Sequence, residues 1–323
     1  MIITKAPLRA SFAGGGTDLR AFYCSEPGSV TSTAIDKFVY VALHEHFENK
    51  ILLKYSQTEL VDDVNDIKNE LFRECLRFMN ITKGIEITSM ADMPTRSGLG
   101  GSESFAVALL HALHTYKGEY VSQEQLAREA CHISIEVLKK PIGKQDQYAA
   151  AYGGLNYIEF HPNESVAVKP IVCKPEILRN LNDNLMMFYT GISRSAHDVL
   201  SEQKDRTEEN RDTLRSMKRL SEEVRDMITS GNFDGFAAAL HRGWIEKRKL
   251  VSNISNNFID DCYDRALQAG AEGGRLLGAG AGGFLLFYCD MKKQDSLRNA
   301  LSCLKEVRFK FEREGSRIIY AGD

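Results

Sequence analysis

The run Pro94-Thr-Arg-Ser-Gly-Leu-Gly-Gly-Ser-Glu-Ser104 constrains this chain more than any other stretch. Gly98, Gly100 and Gly101 clear the backbone of side chains just before Phe105, Leu109, Ala112, Leu113 and Tyr116, which recur at helical spacing. The pattern predicts a glycine-rich turn running into an amphipathic helix over 105–116, with Ser102 and Ser104 as N-cap residues and possible hydroxyl ligands for a cation. Open amides and a helix N-terminus aimed at one point favour a phosphate or another anion there. Taken alone, the stretch reads equally well as a capped surface turn.

Neither common phosphate motif fits. The loop lacks the Gly-Lys-Ser/Thr ending of a Walker loop, and Glu103 stands where a dinucleotide fingerprint has its third glycine. Gly278, Gly280 and Gly283 do match G-x-G-x-x-G, but they lead into Phe284-Leu-Leu-Phe-Tyr288, a strand pattern where that fingerprint requires a helix.

A chain of 323 residues has length for two domains. Its net charge of −3, with acids and bases interspersed, offers no block of positive charge to a nucleic-acid backbone. No apolar run approaches the roughly 20 residues that cross a bilayer, and Met1-Ile-Ile-Thr-Lys5 opens a strand pattern, so a soluble cytoplasmic protein is expected, with no nucleic-acid or membrane partner. Seven cysteines without a C-x-x-C pair read as reduced thiols. His44 and His46 have strand spacing for a metal pair, but no third ligand lies near them in sequence.

Along the chain, Ala13-Gly-Gly-Gly-Thr-Asp18 forms a second glycine-rich turn flanked by Arg9 and Asp18. Residues 38–44 and 51–55 read as an antiparallel strand pair, 64–79 as a helix and 84–88 as a strand. Ser122 with Gln125 suggests a capping box for a helix that ends before Pro141 and carries Glu136 in its last turns. Asp146 opens an alanine-rich helix closed by Gly153-Gly154, an ordinary N-cap position, with Lys144 near enough to hold it ionised. Prolines 162, 170 and 175 mark a domain boundary near residue 172. Beyond it come one long helix over 196–230, helices bearing Phe236 and Cys262, strands at 274–277 and 284–289 around the third glycine-rich turn, and a tail hairpin near Glu314-Gly315.

Three separated glycine-rich turns, Lys5 to Asp18, Pro94 to Ser104 and Leu277 to Phe284, together resemble the GHMP kinases, and their order and spacing cover nearly the whole chain. The resemblance implies an α+β fold of two domains. Residues 1–172 would form an ATP-binding domain with a left-handed β-α-β unit, and residues 173–323 a ferredoxin-like domain, with ATP and substrate in the cleft between them. Within the family, Ala13 to Asp18 and Gly143-Lys-Gln-Asp-Gln-Tyr-Ala149 are most similar to kinases that phosphorylate the anomeric hydroxyl of D-glycero-D-manno-heptose 7-phosphate.

Carried over by motif, Pro94, Ser97, Gly98, Leu99, Gly100, Gly101, Ser102, Glu103 and Ser104, with Gly280 and Gly282, would hold ATP. Ser102 and Glu136 would hold Mg²⁺. Asp146 would be the catalytic base and Arg9 would face the transferring phosphoryl group, while Gly15, Gly16, Thr17, Asp18 and Lys144 would bind the sugar. Lys144, Arg194 and Lys249 are candidates for the distal phosphate, the feature that separates this acceptor from a free sugar such as L-fucose. A non-catalytic sugar and nucleotide sensor is the reading from another class, and the intact Ser102, Glu136 and Asp146 argue against it. Two positions depart from the family's loop: Gly101 replaces a serine, and Glu103 puts a carboxylate where small residues are usual, so it must turn away or reach the cation.

Overall fold

The computed structural model describes residues 1–192 and 196–322. The first part of the chain forms β1 (Ile2–Ala13), α1 (Arg20–Tyr23), β2 (Gly28–Glu45), β3 (Ile51–Lys54), β4 (Thr58–Val61), α2 (Glu70–Phe78), β5 (Ile85–Ala91), α3 (Gly101–Tyr116), α4 (Gln123–Cys131), α5 (Gln145–Tyr152), β6 (Leu155–Phe160) and β7 (Val166–Pro170). The rest forms α6 (Pro175–Asp183), β8 (Leu185–Tyr189), α7 (Ala196–Asp205), α8 (Arg211–Ser230), α9 (Phe233–Leu250), α10 (Asn257–Gln268), β9 (Gly273–Leu276), β10 (Phe284–Tyr288), α11 (Gln294–Ala300), β11 (Lys305–Glu306) and β12 (Arg317–Ala321).

An eight-stranded sheet is built around β2, which is long enough to take two partners in succession. Its residues 28–33 pair with β6 and 39–45 with β5, while β1 runs antiparallel along it. The strand order is β12-β1-β2-β5-β3-β4, with β6 and β7 branching from β2. The expected pairing of 38–44 with 51–55 is therefore corrected: β5 lies between them, and β3 pairs parallel to β5 and antiparallel to β4. A turn of polar residues looks the same in sequence whether or not the strands it joins become neighbours.

Residues 28–34 carry no strand signature in sequence, being Gly-Ser-Val-Thr-Ser-Thr-Ala, yet all are buried. Their hydroxyls find partners that only the fold supplies: Ser29 Oγ lies 2.7 Å from Ser221 Oγ, and Thr31 donates to the Ser221 carbonyl at 2.7 Å, both on α8. Satisfied hydroxyls make a small-polar strand tolerable in a core. Ser122 caps α4 as expected, accepting from the Gln125 amide at 3.1 Å, but the Gln125 side chain donates to Glu129 at 2.8 Å and no return bond that would complete the box is among those of the described residues. The single helix expected over 196–230 is two, α7 and α8, separated by a turn at 206–210.

The second sheet is antiparallel with order β11-β8-β10-β9. Numbered by appearance its strands stand 4-1-3-2, the ferredoxin-like arrangement. The expected tail hairpin is also corrected: β12 returns to the first sheet and pairs antiparallel with β1. Close contact requires it, since Gly153 packs against the backbone of Glu314 and Gly315 against Ala151. One hydrophobic cluster joins the two parts, setting Leu8, Ala10 and Phe12 of β1 against Leu220 and Val224 of α8, Phe236 and Leu240 of α9, and Phe284 and Leu286 of β10. The stripe Leu214, Met217, Leu220 and Val224 is thus core. Among the described residues no helix is long and apolar enough to cross a membrane.

Candidate active site

The three glycine-rich turns meet. Gly98 and Gly278 approach so closely that a Cβ on Gly278 would lie 2.4 Å from the Gly98 Cα, and one on Gly283 would lie 2.3 Å from the Ser97 carbonyl oxygen. Both Gly98 and Gly278 have positive φ, +80° and +72°, so glycine serves conformation and contact at once. The second turn is fixed to β1 from the other side, where the Arg9 amide donates to the Leu99 carbonyl at 3.1 Å and the Leu99 side chain is fully buried.

Gly100, at φ +76°, is the residue that caps α3, so the helix begins at Gly101 and not at Phe105. Ser102 and Ser104 are therefore not caps. Ser102 is exposed in the first turn, whereas Ser104 is buried and donates to the Pro7 carbonyl at 2.8 Å, anchoring the helix to β1. The amides of Gly101, Ser102 and Glu103 precede the first intrahelical donor, the Ser104 amide, and give the N-terminus its partial positive charge.

A cavity of about 350 Å³ opens where the turns converge. Of the residues singled out from sequence, Arg9, Gly15, Gly16, Asp18, Ser97, Gly98, Gly100, Gly101, Ser102, Glu103, Asp146, Gly280 and Gly282 line it. Six do not. Pro94 is exposed at the start of the loop, Leu99 and Ser104 hold the loop from behind, and Thr17 is buried, donating to the Gly14 and Ser29 carbonyls.

Lys144 and Glu136 are the larger corrections. Lys144 reaches Glu164, with Nζ to Oε2 at 2.5 Å, and lies over the Tyr23 ring, so it is not the partner of Asp146. Glu136 sits in a π-helical turn, His132–Val137, whose spacing is out of step with the α period that sequence reasoning assumed. Its side chain is half exposed outside the cavity and pairs with Lys139 at 3.8 Å. Lys249, proposed for a distal phosphate, pairs with Glu246 on the surface, and Arg194 lies outside the described residues.

Asp146 is held by Arg9. Arg9 Nε and Nη2 each donate to one carboxylate oxygen at 2.7 Å, and Nη1 donates to the Gly98 carbonyl at 2.5 Å, so one guanidinium ties the acid to the phosphate loop. The α5 helix is capped at Lys144 without a side-chain bond, which removes the N-cap reading of Asp146. A Cβ on Gly100 would lie 3.1 Å from Asp146 Oδ2. Asp18 accepts from the Gly16 amide at 3.0 Å and the Gln145 amide at 3.3 Å, and burial, with the Asp146 charge second, pushes its carboxyl up to about 6. Glu103 is raised as well, by burial first and Asp146 second, against the pull of Lys140.

Sequence reasoning passed over Lys247, Arg275, Lys140 and Gln145, all of which line the cavity. Lys247 had a signal: it continues the apolar stripe Phe236, Leu240, Trp244 of α9, where a lysine has no business without a partner. Arg275 lies in a strand of four buried residues, too short to display a pattern.

Known proteins give the same picture. The N-terminal domain of the GHMP kinases matches residues 39–154, and their C-terminal domain matches residues 216–307. The chain belongs to the GHMP kinase family. It is 29% identical, over 93% of both chains, to the D-glycero-alpha-D-manno-heptose 7-phosphate kinase of Campylobacter jejuni. The crystal structure of a D-glycero-D-manno-heptose 1-phosphate kinase from Bacteriodes thetaiotaomicron superposes over all of both chains with a TM-score of 0.83 at 24% identity, a likeness of fold. A putative sugar kinase from Campylobacter jejuni superposes with a TM-score of 0.79 at 27% identity, over 98% of this chain and 97% of its own. As a GHMP kinase the protein is an ATP-dependent phosphotransferase.

Proposed function

We propose that this GHMP kinase transfers the γ-phosphoryl group of ATP to the anomeric hydroxyl of D-glycero-D-manno-heptose 7-phosphate, giving the 1,7-bisphosphate on the route to nucleotide-activated heptose. The observation that carries the reading is the Arg9–Asp146 pair, which joins an acid beside the acceptor turn to the loop that receives the donor. Two of the roughly four lone-pair sites of the carboxylate are used by Arg9, leaving others for the hydroxyl proton as attack develops. An anomeric hydroxyl is more acidic than an ordinary alcohol, so modest base strength suffices. Asp18, with Gly15 and Gly16, supplies acceptors and close backbone approach for sugar hydroxyls. The loop amides and the α3 N-terminus hold the donor's phosphates, and Arg9 keeps base and loop in register.

Among the described residues no three His, Cys, Asp or Glu gather to hold a metal alone. That fits Mg²⁺, which is commonly held by one or two protein oxygens plus the substrate's phosphates. Ser102 and Glu103 line the cavity at the start of α3 and would supply those oxygens in place of Glu136. When bound, the ion would neutralise charge on the phosphates.

The test is kcat/KM by ADP release for heptose 7-phosphate, unphosphorylated heptose, L-fucose and D-galactose, with the product's new phosphate located by NMR. A free sugar preferred by more than about tenfold, some 1.4 kcal/mol of transition-state binding, overturns the assignment.

A further inference from the structure

We propose that Lys247 and Arg275 form a subsite for a phosphate dianion carried by the acceptor, which makes a phosphorylated sugar the preferred substrate over a free one. The inference rests on the function proposed above and goes beyond it by assigning residues to the distal phosphate.

Three cations meet at the floor of the cavity, and only one is paired with a carboxylate. Arg9 has Asp146. Lys247 and Arg275 are 4% and 3% exposed, and neither has an acid partner among the ion pairs of the described residues. Lys247 Nζ donates to the Leu276 carbonyl at 3.0 Å and to that of Gly278, while Arg275 Nη1 donates to the Phe12 carbonyl. Arg275 Nε, buried, has no hydrogen-bond partner among the described residues. Both side chains line the cavity.

Burying charge without a counter-ion is costly, and here the three cations also repel one another. Burial, then Arg275 and Arg9, hold the Lys247 ammonium well below its usual range, and burial with Arg9 pushes the Arg275 guanidinium down to about 10. Tying two carbonyls together would need only neutral donors. A dianion entering the cavity would satisfy Arg275 Nε, relieve the repulsion and receive charge-assisted hydrogen bonds.

Arg275 points to the acceptor as the source of that phosphate, while the Lys247 ammonium also reaches the Gly278 turn. Arg275 is anchored to Phe12, next to the Ala13 to Asp18 turn, and Lys247 lies one helical turn before Leu250, whose side chain packs at Gly16. The donor's phosphates are the other source, and binding measurements separate the two. Wild-type protein, Lys247→Met and Arg275→Gln are titrated calorimetrically with heptose 7-phosphate, with unphosphorylated heptose and with ADP, and melted with and without millimolar inorganic phosphate.

The wild type is expected to favour the phosphorylated sugar by more than about tenfold. Lys247→Met should lose at least about tenfold of that preference while binding ADP within about twofold of wild type. Because Arg275→Gln also loses its bond to Phe12, Lys247→Met decides the matter if the arginine variant does not fold. A preference retained in Lys247→Met, or ADP binding weakened as much as sugar-phosphate binding, overturns the proposal. If the wild type binds neither sugar, the acceptor assignment fails by itself. The anion site is then upheld by a phosphate-induced rise in Tm that Lys247→Met abolishes, and overturned if the wild type gives no rise.

Discussion

The two ends of the cavity are made of different materials. At the end proposed for the donor, Gly98, Gly100, Gly101 and Gly278 present backbone, and the partial charge of a helix N-terminus adds to Arg96 of the loop and to Lys140 near Glu103. At the end proposed for the acceptor, Arg9, Asp18, Asp146, Lys247 and Arg275 are ionisable groups drawn from positions spread along the chain and largely buried. Backbone amides need no counter-ion and keep their dipoles whether or not a ligand is present, so that end can be built by local sequence. Buried formal charges depend on one another, so that end exists only when several distant elements have docked. Substitutions at the donor end should therefore act through shape, and those at the acceptor end through charge.

Asp146→Asn is the severest trial of the charge side. Shape and size are kept, and kcat should fall by about 10²–10⁴ with ADP affinity little changed. Because the carboxylate bonds Arg9 twice, the variant should also lose about 1–3 kcal/mol of stability, as expected when a charged hydrogen-bond partner is weakened. Turnover near wild type in a folded variant would mean that the base lies elsewhere.

Gly278→Ala tries the shape side. The left-handed φ of +72° and the 2.4 Å approach to Gly98 combine about 1–2 kcal/mol of backbone strain with an overpacking cost of about 1–3 kcal/mol. Gly101→Ala is the matched control in the same cavity: its φ is ordinary and a Cβ meets nothing within 4 Å, so stability should hold or rise slightly. Its methyl group projects beside the free amides, and KM for ATP should rise instead. If Gly278→Ala and Gly101→Ala have equal Tm, the interlocking of the two turns contributes nothing to the fold.

The same contrast explains what could be read from sequence. Turns at 13–18, 94–104 and 277–284 announce themselves by glycine spacing, and the family follows from the three together. Arg275 announces nothing, and Lys247 only that a lysine continues an apolar stripe, because what makes them special is that neither has an ion-pair partner among the described residues. Strand 28–34 was hidden because its Ser29 and Thr31 hydroxyls are satisfied by Ser221, 192 and 190 positions away. The β3–β5 pairing and the return of β12 to β1 were hidden because alternation predicts a strand without naming its neighbour. Glu136 was misplaced by a helical period that a π turn does not keep.

Asp18→Asn sharpens the charge side through pH. The folded carboxyl is raised from 3.8 to about 6, so the native state holds its proton more tightly than the unfolded chain does. Wild-type stability therefore carries a penalty that is absent below about pH 4, grows as pH rises towards 6 and is complete above it. Asparagine has no such titration. The variant's unfolding free energy relative to wild type should improve by about 2.4 kcal/mol between pH 4 and pH 7, at about 1.4 kcal/mol for each tenfold. Loss of one acceptor for the Gly16 or Gln145 amide shifts the whole curve by about 1 kcal/mol without changing its slope. Denaturant unfolding at the two pH values measures the difference, and parallel curves would mean that the Asp18 carboxyl binds its proton no more tightly in the folded protein than in the unfolded chain.

The smallest expected effect belongs to Glu136→Gln, and it bears on which carboxylate serves the donor end. Glu136 is half exposed, lies outside the cavity and makes one long ion pair with Lys139, so its replacement should change stability by less than about 0.5 kcal/mol and leave the dependence of rate on Mg²⁺ concentration untouched. Glu103→Gln is the counterpart within the cavity. It removes a carboxylate that burial and Asp146 already disfavour as an anion, so the fold should not suffer, while the Mg²⁺ concentration for half-maximal rate should rise several-fold. Mn²⁺ binding to each variant with ADP, followed by electron paramagnetic resonance, reads the metal directly and apart from turnover. If Glu136→Gln weakens the ion and Glu103→Gln does not, the donor end recruits a side chain from outside the cavity. The contrast between an end built by local backbone and one assembled from distant charges would then fail at its metal.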